Sequence, residues 1–114
     1  MKVAIAADHR GFPLKQALAA TLQAYEVTDL GAYSVDPIDD YTTYTHLVCE
    51  KVQEDPEVRG VLLCGTGQGM AMAANKHKGI RAALVWNNEE AELARSKNDA
   101  NVIVLPAESL TEEQ

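Results

Sequence analysis

Cysteine is scarce in this 114-residue chain. Cys49 and Cys64 are the only two, and they form neither a Cys-x-x-Cys pair nor a disulfide framework. That usage fits a reducing cytoplasm. Positive charge is short as well. Ten Lys and Arg stand against 17 Asp and Glu, a formal net charge of −7. Such a balance argues against broad nucleic-acid or anionic-membrane surfaces, which need basic patches, but allows a local pocket for one anionic small molecule. No apolar run approaches membrane-spanning length. Met1 to Ala7 is basic and then apolar, yet Asp8, His9 and Arg10 interrupt it far too early for a signal-peptide core. Metal-site spacing, such as two histidines four apart on a helix, is missing from His9, His46 and His77. Repeats, linkers and low-complexity stretches are also missing. The composition, 46% apolar and 24% charged, is that of one ordinary soluble domain spanning 1–114.

Strand and helix signals alternate along it. Val3 to Ala7 is a short apolar run of the kind buried on both faces. Pro13 suits a first helical turn, and Leu14, Leu18, Leu22 and Tyr25 recur at helical spacing, predicting a helix from Phe12 to about Ala24. Glu26–Leu30 reads as a strand, and 32–40, with Pro37, as a loop. A second helix over Tyr41–Gln53 sets Tyr44, Leu47, Val48 and Val52 on its apolar side. Gly60–Cys64 is the third strand and about Gln68–Lys76 the third helix, with Met70 and Met72 expected to pack. Ile80–Val85 is the fourth strand. Asn87 or Asn88 caps a fourth helix that runs to about Lys97 on Ala91, Leu93 and Ala94. Asn101–Leu105 is the fifth strand.

This βαβαβαβαβ order predicts an α/β fold: a five-stranded parallel sheet with helices on both faces, a Rossmann-like or flavodoxin-like three-layer sandwich. Ser109 with Glu112, and Thr111 with Gln114, have capping-box spacing, yet no helix follows them. A helix there would cover the fifth strand, so the expected fold has its final helix cut short.

Sites in such sheets form at the carboxyl ends of strands, where the strand order reverses. Asp8-His9, Cys64 to Gly69 and Trp86-Asn87 all fall at such ends. Gly65-Thr66-Gly67-Gln68-Gly69 is not the dinucleotide fingerprint, since its third glycine comes one position early, and no Gly-Lys-Ser/Thr makes it a P-loop. Alternating glycines let successive N–H groups converge on one oxygen, a phosphate's or an enolate's, at a helix N-terminus. The alternative is a tight strand-to-helix turn needing positive φ, but a plain turn has no need of alternating glycines. Cys64 ends a strand beside that helix start, a position that lowers a thiol pKa and suits a base, although a buried cysteine also serves as a small hydrophobe. Thr66 is placed equally well for a substrate hydroxyl or for its own loop. Asp8 and His9 pair two titratable groups at a neighbouring strand end, where Asp8 could instead cap the next helix. His46 and His77 read as solvated surface residues.

Taken together these stretches resemble the ribose-5-phosphate isomerase B family, which includes the galactose-6-phosphate isomerase subunits. The resemblance rests on Ile5-Ala6-Ala7-Asp8-His9-Arg10-Gly11, Asp40-Tyr41 and Cys64-Gly65-Thr66-Gly67-Gln68-Gly69. It continues in Ala73-Ala74-Asn75-Lys76, Gly79-Ile80-Arg81-Ala82 and Asn98-Asp99-Ala100-Asn101-Val102. It implies an aldose–ketose isomerase acting on a phosphorylated sugar through a cis-enediolate, most simply ribose 5-phosphate to ribulose 5-phosphate, with no metal and no organic cofactor. Cys64 would be the base between C1 and C2, and the amides of Gly65, Thr66, Gly67, Gln68 and Gly69 would stabilise the enediolate oxygen. Asp8 would handle substrate hydroxyl protons, His9 the phosphate, Tyr41 the pocket wall and Asn98 the enediolate. The resemblance also implies a homodimer with shared sites, sometimes assembled into a tetramer. Three departures stand out: Lys97 replaces the family's usual ring-opening histidine, Thr42 replaces its usual proline, and family members continue for some tens of residues through a further helix and phosphate-binding arginines. Two rival functions stay open: a homologue that binds sugar phosphate without turnover, and a flavodoxin-like nucleotide binder.

Overall fold

In a computed structural model, residues 1–34 and 40–111 are described. The expectations for Pro37, Glu112 and Gln114 lie outside these residues. Among the described residues five strands alternate with four helices: β1 (Lys2–Ala7), α1 (Phe12–Thr21), β2 (Glu26–Asp29), α2 (Tyr41–Glu54), β3 (Val58–Cys64), α3 (Gln68–Ala74), β4 (Ala82–Leu84), α4 (Asn88–Asn98) and β5 (Val102–Pro106), followed by a 3-10 turn over Ala107–Ser109. All pairings are parallel, in the order β2-β1-β3-β5-β4. The central strands β1 and β3 are buried almost throughout, and β2 and β4 are the outermost strands. The last strand inserts between β3 and β4. Three-residue β4 has too little apolar side chain to occupy the centre, whereas Val102 and Val104 of β5 are fully buried.

The two faces of the sheet carry different helices. α2 and α3 cover one, packing Val48, Cys49, Val52, Met70 and Ala74 against Ala4, Leu62 and Val104. α1 covers part of the other, laying Leu14, Leu18 and Leu22 on Val3, Ile5 and Leu63. α4 joins it on that side through Ala91 and Ala94. Between α1 and α4 runs an apolar trough of about 900 Å³ lined by Leu18, Val61, Trp86, Ile103 and Leu105.

Local differences from the sequence reading have physical causes. α1 stops at Thr21, because the chain must turn (Tyr25 N–H to Leu22 O, 3.0 Å) to bring Glu26 beside Met1. Tyr25 is therefore off the helix and exposed. Met72 and Leu93 are exposed too, although Met70 is fully buried. Two residues along a 3.6-residue turn point in opposed directions, so Met70 and Met72 cannot both face the core. Asp40 starts α2 by accepting the N–H of Thr42 (2.9 Å) and its hydroxyl (2.8 Å). A proline at position 42 could make neither bond, so it is Thr42 that gives the Asp40 cap both of its donors. Asn87 caps α4 through Glu90 N–H (2.8 Å).

Candidate active site

β1 and β3 are neighbours, with Ala7 opposite Leu63, so the loops that follow them open at the same edge of the sheet. This is where the strand order reverses, since β1 leads out to β2 and the chain returns on the other side through β3. Asp8 N–H reaches across to Leu63 O (3.2 Å). Gly11 presses so closely on the end of β3 that a Cβ there would sit 2.3 Å from Leu63 O. The turn then fixes the Asp8 carboxylate, whose Oδ1 accepts the N–H groups of Arg10 (3.0 Å) and Gly11 (3.1 Å). Asp8 is only 6% exposed. Asp8 thus braces the turn ahead of α1 and does not cap the helix itself, whose N-cap, Gly11, has no side-chain cap bond. His9 lies half-buried on the same turn.

Cys64, the last residue of β3, is also 6% exposed and packs into the core cluster of α2 and α3. Its sulfur nevertheless accepts backbone N–H groups from Gly67 and Met70 at the start of α3. Burial pushes the thiol up from its ordinary pKa. The Met70 and Gly67 amides pull it down, the Asp8 carboxylate adds to the rise, and Arg10 opposes it. The rise wins. The sequence reading expected the helix start to lower this thiol; the amides do act that way, but desolvation outweighs them.

The glycine loop wraps the same sulfur. Gly67 has φ of 79° and sits so close to Leu84 that a Cβ would lie 2.3 Å from Cδ1, so only glycine suits it. Thr66 Oγ1 accepts the N–H of Gln68 (3.3 Å), a bond within its own loop that uses the oxygen only as an acceptor. Tyr41, the first residue of α2, lays its ring over the loop: a Cβ at Gly69 would be 2.8 Å from Tyr41 Cζ and 3.0 Å from its hydroxyl oxygen.

Two participants were given no role by the sequence. The Arg10 guanidinium lies across Gly65, with Cζ 2.6 Å from where a Cβ would stand, and it pairs with Glu108 in the turn after β5. Glu108 N–H in turn holds Gly65 O (3.1 Å). Glu108 lies 98 positions from Arg10, too far for spacing to signal the pair.

Lys97 and Asn98 do not join this group. They end α4 and lead into the start of β5, just before which Asn101 O accepts Gly60 N–H near the beginning of β3. Asn98 O is held by Arg81 Nε (2.7 Å). From Gly60 to Cys64 the strand climbs about 13 Å, so within one chain Lys97 and Asn98 stand at the opposite edge of the sheet from the thiol.

Among the described residues, no group of three or more His, Cys, Asp or Glu could hold a metal ion, and no helix is long and apolar enough to cross a membrane. The arrangement is a buried thiol under peptide donors, next to a fixed carboxylate, a guanidinium and a phenol. That is equipment for moving a proton beside a developing oxyanion.

Known proteins are similar to this chain in sequence and fold. The family model described as Ribose/Galactose Isomerase matches residues 3–114. A probable ribose-5-phosphate isomerase B of Mycoplasma pneumoniae is 46% identical over 112 residues, covering 96% of this chain and 74% of that protein. A ribose 5-phosphate isomerase of Thermotoga maritima superposes with a TM-score of 0.94 at 44% identity, over 98% of this chain and 78% of that one. The ribose-5-phosphate isomerase B of Mycoplasma genitalium, solved with bound ribulose 5-phosphate, gives 0.91 at 40% identity over 98% and 76%. The chain thus spans about three quarters of these relatives' lengths. With a model match over nearly every residue and this conservation of architecture, the chain belongs to the ribose/galactose isomerase family.

Proposed function

We propose that this protein interconverts an aldose phosphate and its ketose, ribose 5-phosphate and ribulose 5-phosphate in the first instance, through a cis-enediolate. The observation that carries the reading is the seat of Cys64: its sulfur takes the Gly67 and Met70 amides while facing Asp8 and Arg10 at the edge where the sheet's order reverses. The relatives' names, and the ribulose 5-phosphate bound in one of them, support the substrate class.

In this mechanism the Cys64 thiolate removes the proton from the carbon beside the carbonyl and returns it to the neighbouring carbon. Arg10 and the two amides favour that thiolate against the burial and the Asp8 carboxylate that oppose it, and Tyr41 lines the pocket over the loop. Gly67 N–H serves the sulfur and Gln68 N–H serves Thr66, so the enediolate oxygen falls to the remaining loop amides of Gly65, Thr66 and Gly69. Asp8, held by two peptide donors, exchanges the hydroxyl proton, and His9 takes the phosphate. Asn98 and Lys97 serve the site of a second protomer, which is the way their position at the far edge becomes useful. The functional unit is then a homodimer with shared sites.

A coupled isomerase assay on ribose 5-phosphate tests this, run on the parent and on Cys64→Ala. Turnover in the parent and its loss in the variant is expected. Equal rates remove Cys64 as the base, and calorimetric binding without turnover in either makes the protein a sugar-phosphate binder instead.

A further inference from the structure

His46 and His77 are 31 positions apart in the chain, but the packing of α2 against α3 and the turn that follows it brings His46 Nδ1 within 3.2 Å of His77 Nε2. The outer nitrogen of each ring is already committed. His46 Nε2 lies 2.6 Å from Glu50 Oε1, one helical turn on. His77 Nδ1 lies 3.0 Å from Ala73 O and 3.3 Å from Ala74 O. Carboxylate and carbonyl oxygens only accept, so both outer nitrogens must carry the hydrogen. In two neutral rings the inner nitrogens then turn lone pairs on each other. Such a contact holds only with something positive between them, a shared proton or a metal ion.

We propose that His46 and His77 form a two-ligand site for a borderline divalent transition cation, zinc first, which staples α2 to the end of α3. Two imidazole nitrogens on one tetrahedral zinc lie about 3.3–3.4 Å apart, given Zn–N bonds of about 2.0–2.1 Å. The 3.2 Å separation and the 5.4 Å between ring centroids need only a small adjustment to meet that geometry. The supporting contacts are already those of a metal-ligating histidine: Glu50 behind one ring, main-chain carbonyls behind the other, fixing tautomer and orientation. His46 and Glu50 are exposed, which leaves a path of entry and room for water on the remaining positions. Neutral nitrogen donors select zinc, nickel or copper over magnesium and calcium. Because α3 begins at the glycine loop, the staple would steady the helix whose first amides hold Cys64, without touching the reacting groups.

Zinc titrated calorimetrically into chelator-stripped full-length protein should bind with one equivalent per chain and raise the melting temperature. His46→Gln and His77→Gln should each weaken binding at least tenfold. Cys64→Ser should bind as the parent does, and Glu50→Gln should bind more weakly. Where a histidine variant fails to fold, nitrogen-15 spectra of the parent's imidazoles give the answer. Zinc should move His46 Nδ1 and His77 Nε2 while leaving His9 in place. Non-saturating binding, unchanged affinity in either folded histidine variant, loss of binding in Cys64→Ser, or shifts confined to His9 would each overturn the site.

Discussion

Lys15 Nζ lies 2.8 Å and 2.7 Å from the two carboxylate oxygens of Asp29, and the Lys15 side chain is wholly buried. The ammonium also stands 5.4 Å from the Phe12 ring centroid and 5.6 Å from that of Tyr33. This pair ties α1 to the end of β2, and Asp29 Oδ1 accepts Gly31 N–H (2.9 Å) as well. The two partners are unequal, since Asp29 keeps a third of its side chain exposed. Asp29→Ala strands a buried cation and should cost about 3 kcal/mol, whereas Lys15→Met removes the charge and keeps the stem, costing about 1 kcal/mol or less. Urea unfolding of both variants measures this. The reverse ranking would mean that the carboxylate is not what holds the lysine.

Gly65 and Gly67 should respond differently to alanine. At Gly67 a Cβ meets Leu84 and the residue has φ of 79°, so Gly67→Ala should lose roughly 2–3 kcal/mol of stability. At Gly65 the obstacle is the end of the Arg10 side chain, which can swing away. Gly65→Ala should stay within about 1 kcal/mol of the parent while losing most of its isomerase activity. Chemical unfolding beside an activity assay separates the two effects. Equal loss of stability in both would show that Arg10 is fixed rather than yielding.

The order of elements was readable because each strand is a short apolar run and each helix a periodic one. Pro13, Asn87 and the glycines set boundaries that held to within a few residues. The gathering of Asp8 and Cys64 at one edge also follows from that order, since both end central strands. Arg10 and Glu108 were not readable as a pair. Their meeting depends on how the segment after β5 folds back over Gly65, which no local pattern encodes. The histidine pair was hidden for the same reason, because its geometry belongs to the packing of α2 against the turn after α3 and not to either segment alone. The thiol's direction of shift was misread because charge effects are local in sequence, while desolvation is a property of the finished core.

Cys49 is wholly buried on α2, and burial pushes its thiol from 9.0 up to about 11. A raised folded pKa means that the stability it brings is complete below the unfolded value. It is lost as pH climbs from about 9 through about 11, a difference on the order of 2–3 kcal/mol. Melting scans from pH 8 to 11 should show this decline in the parent and a shallower one in Cys49→Ala, which starts lower for the lost packing. Parallel slopes would show that the thiol does not titrate in the fold.

If Asn98 serves the partner's site, two inactive variants should rescue each other. Cys64→Ala and Asn98→Ala, unfolded and refolded together, should recover about a quarter of parental activity, since half the dimers are mixed and each holds one intact site. No recovery, with mixed dimers demonstrated, would place Asn98 in its own chain's site or outside the chemistry.

The central claim is that the sulfur of Cys64 carries the proton between the two substrate carbons. Isomerisation of ribose 5-phosphate in deuterium oxide, followed by proton NMR, tests it most directly. The account predicts solvent deuterium at the carbon that receives the proton in the parent, and neither exchange nor isomerisation in folded Cys64→Ala. Deuterium entering at the parental rate in that variant would contradict it.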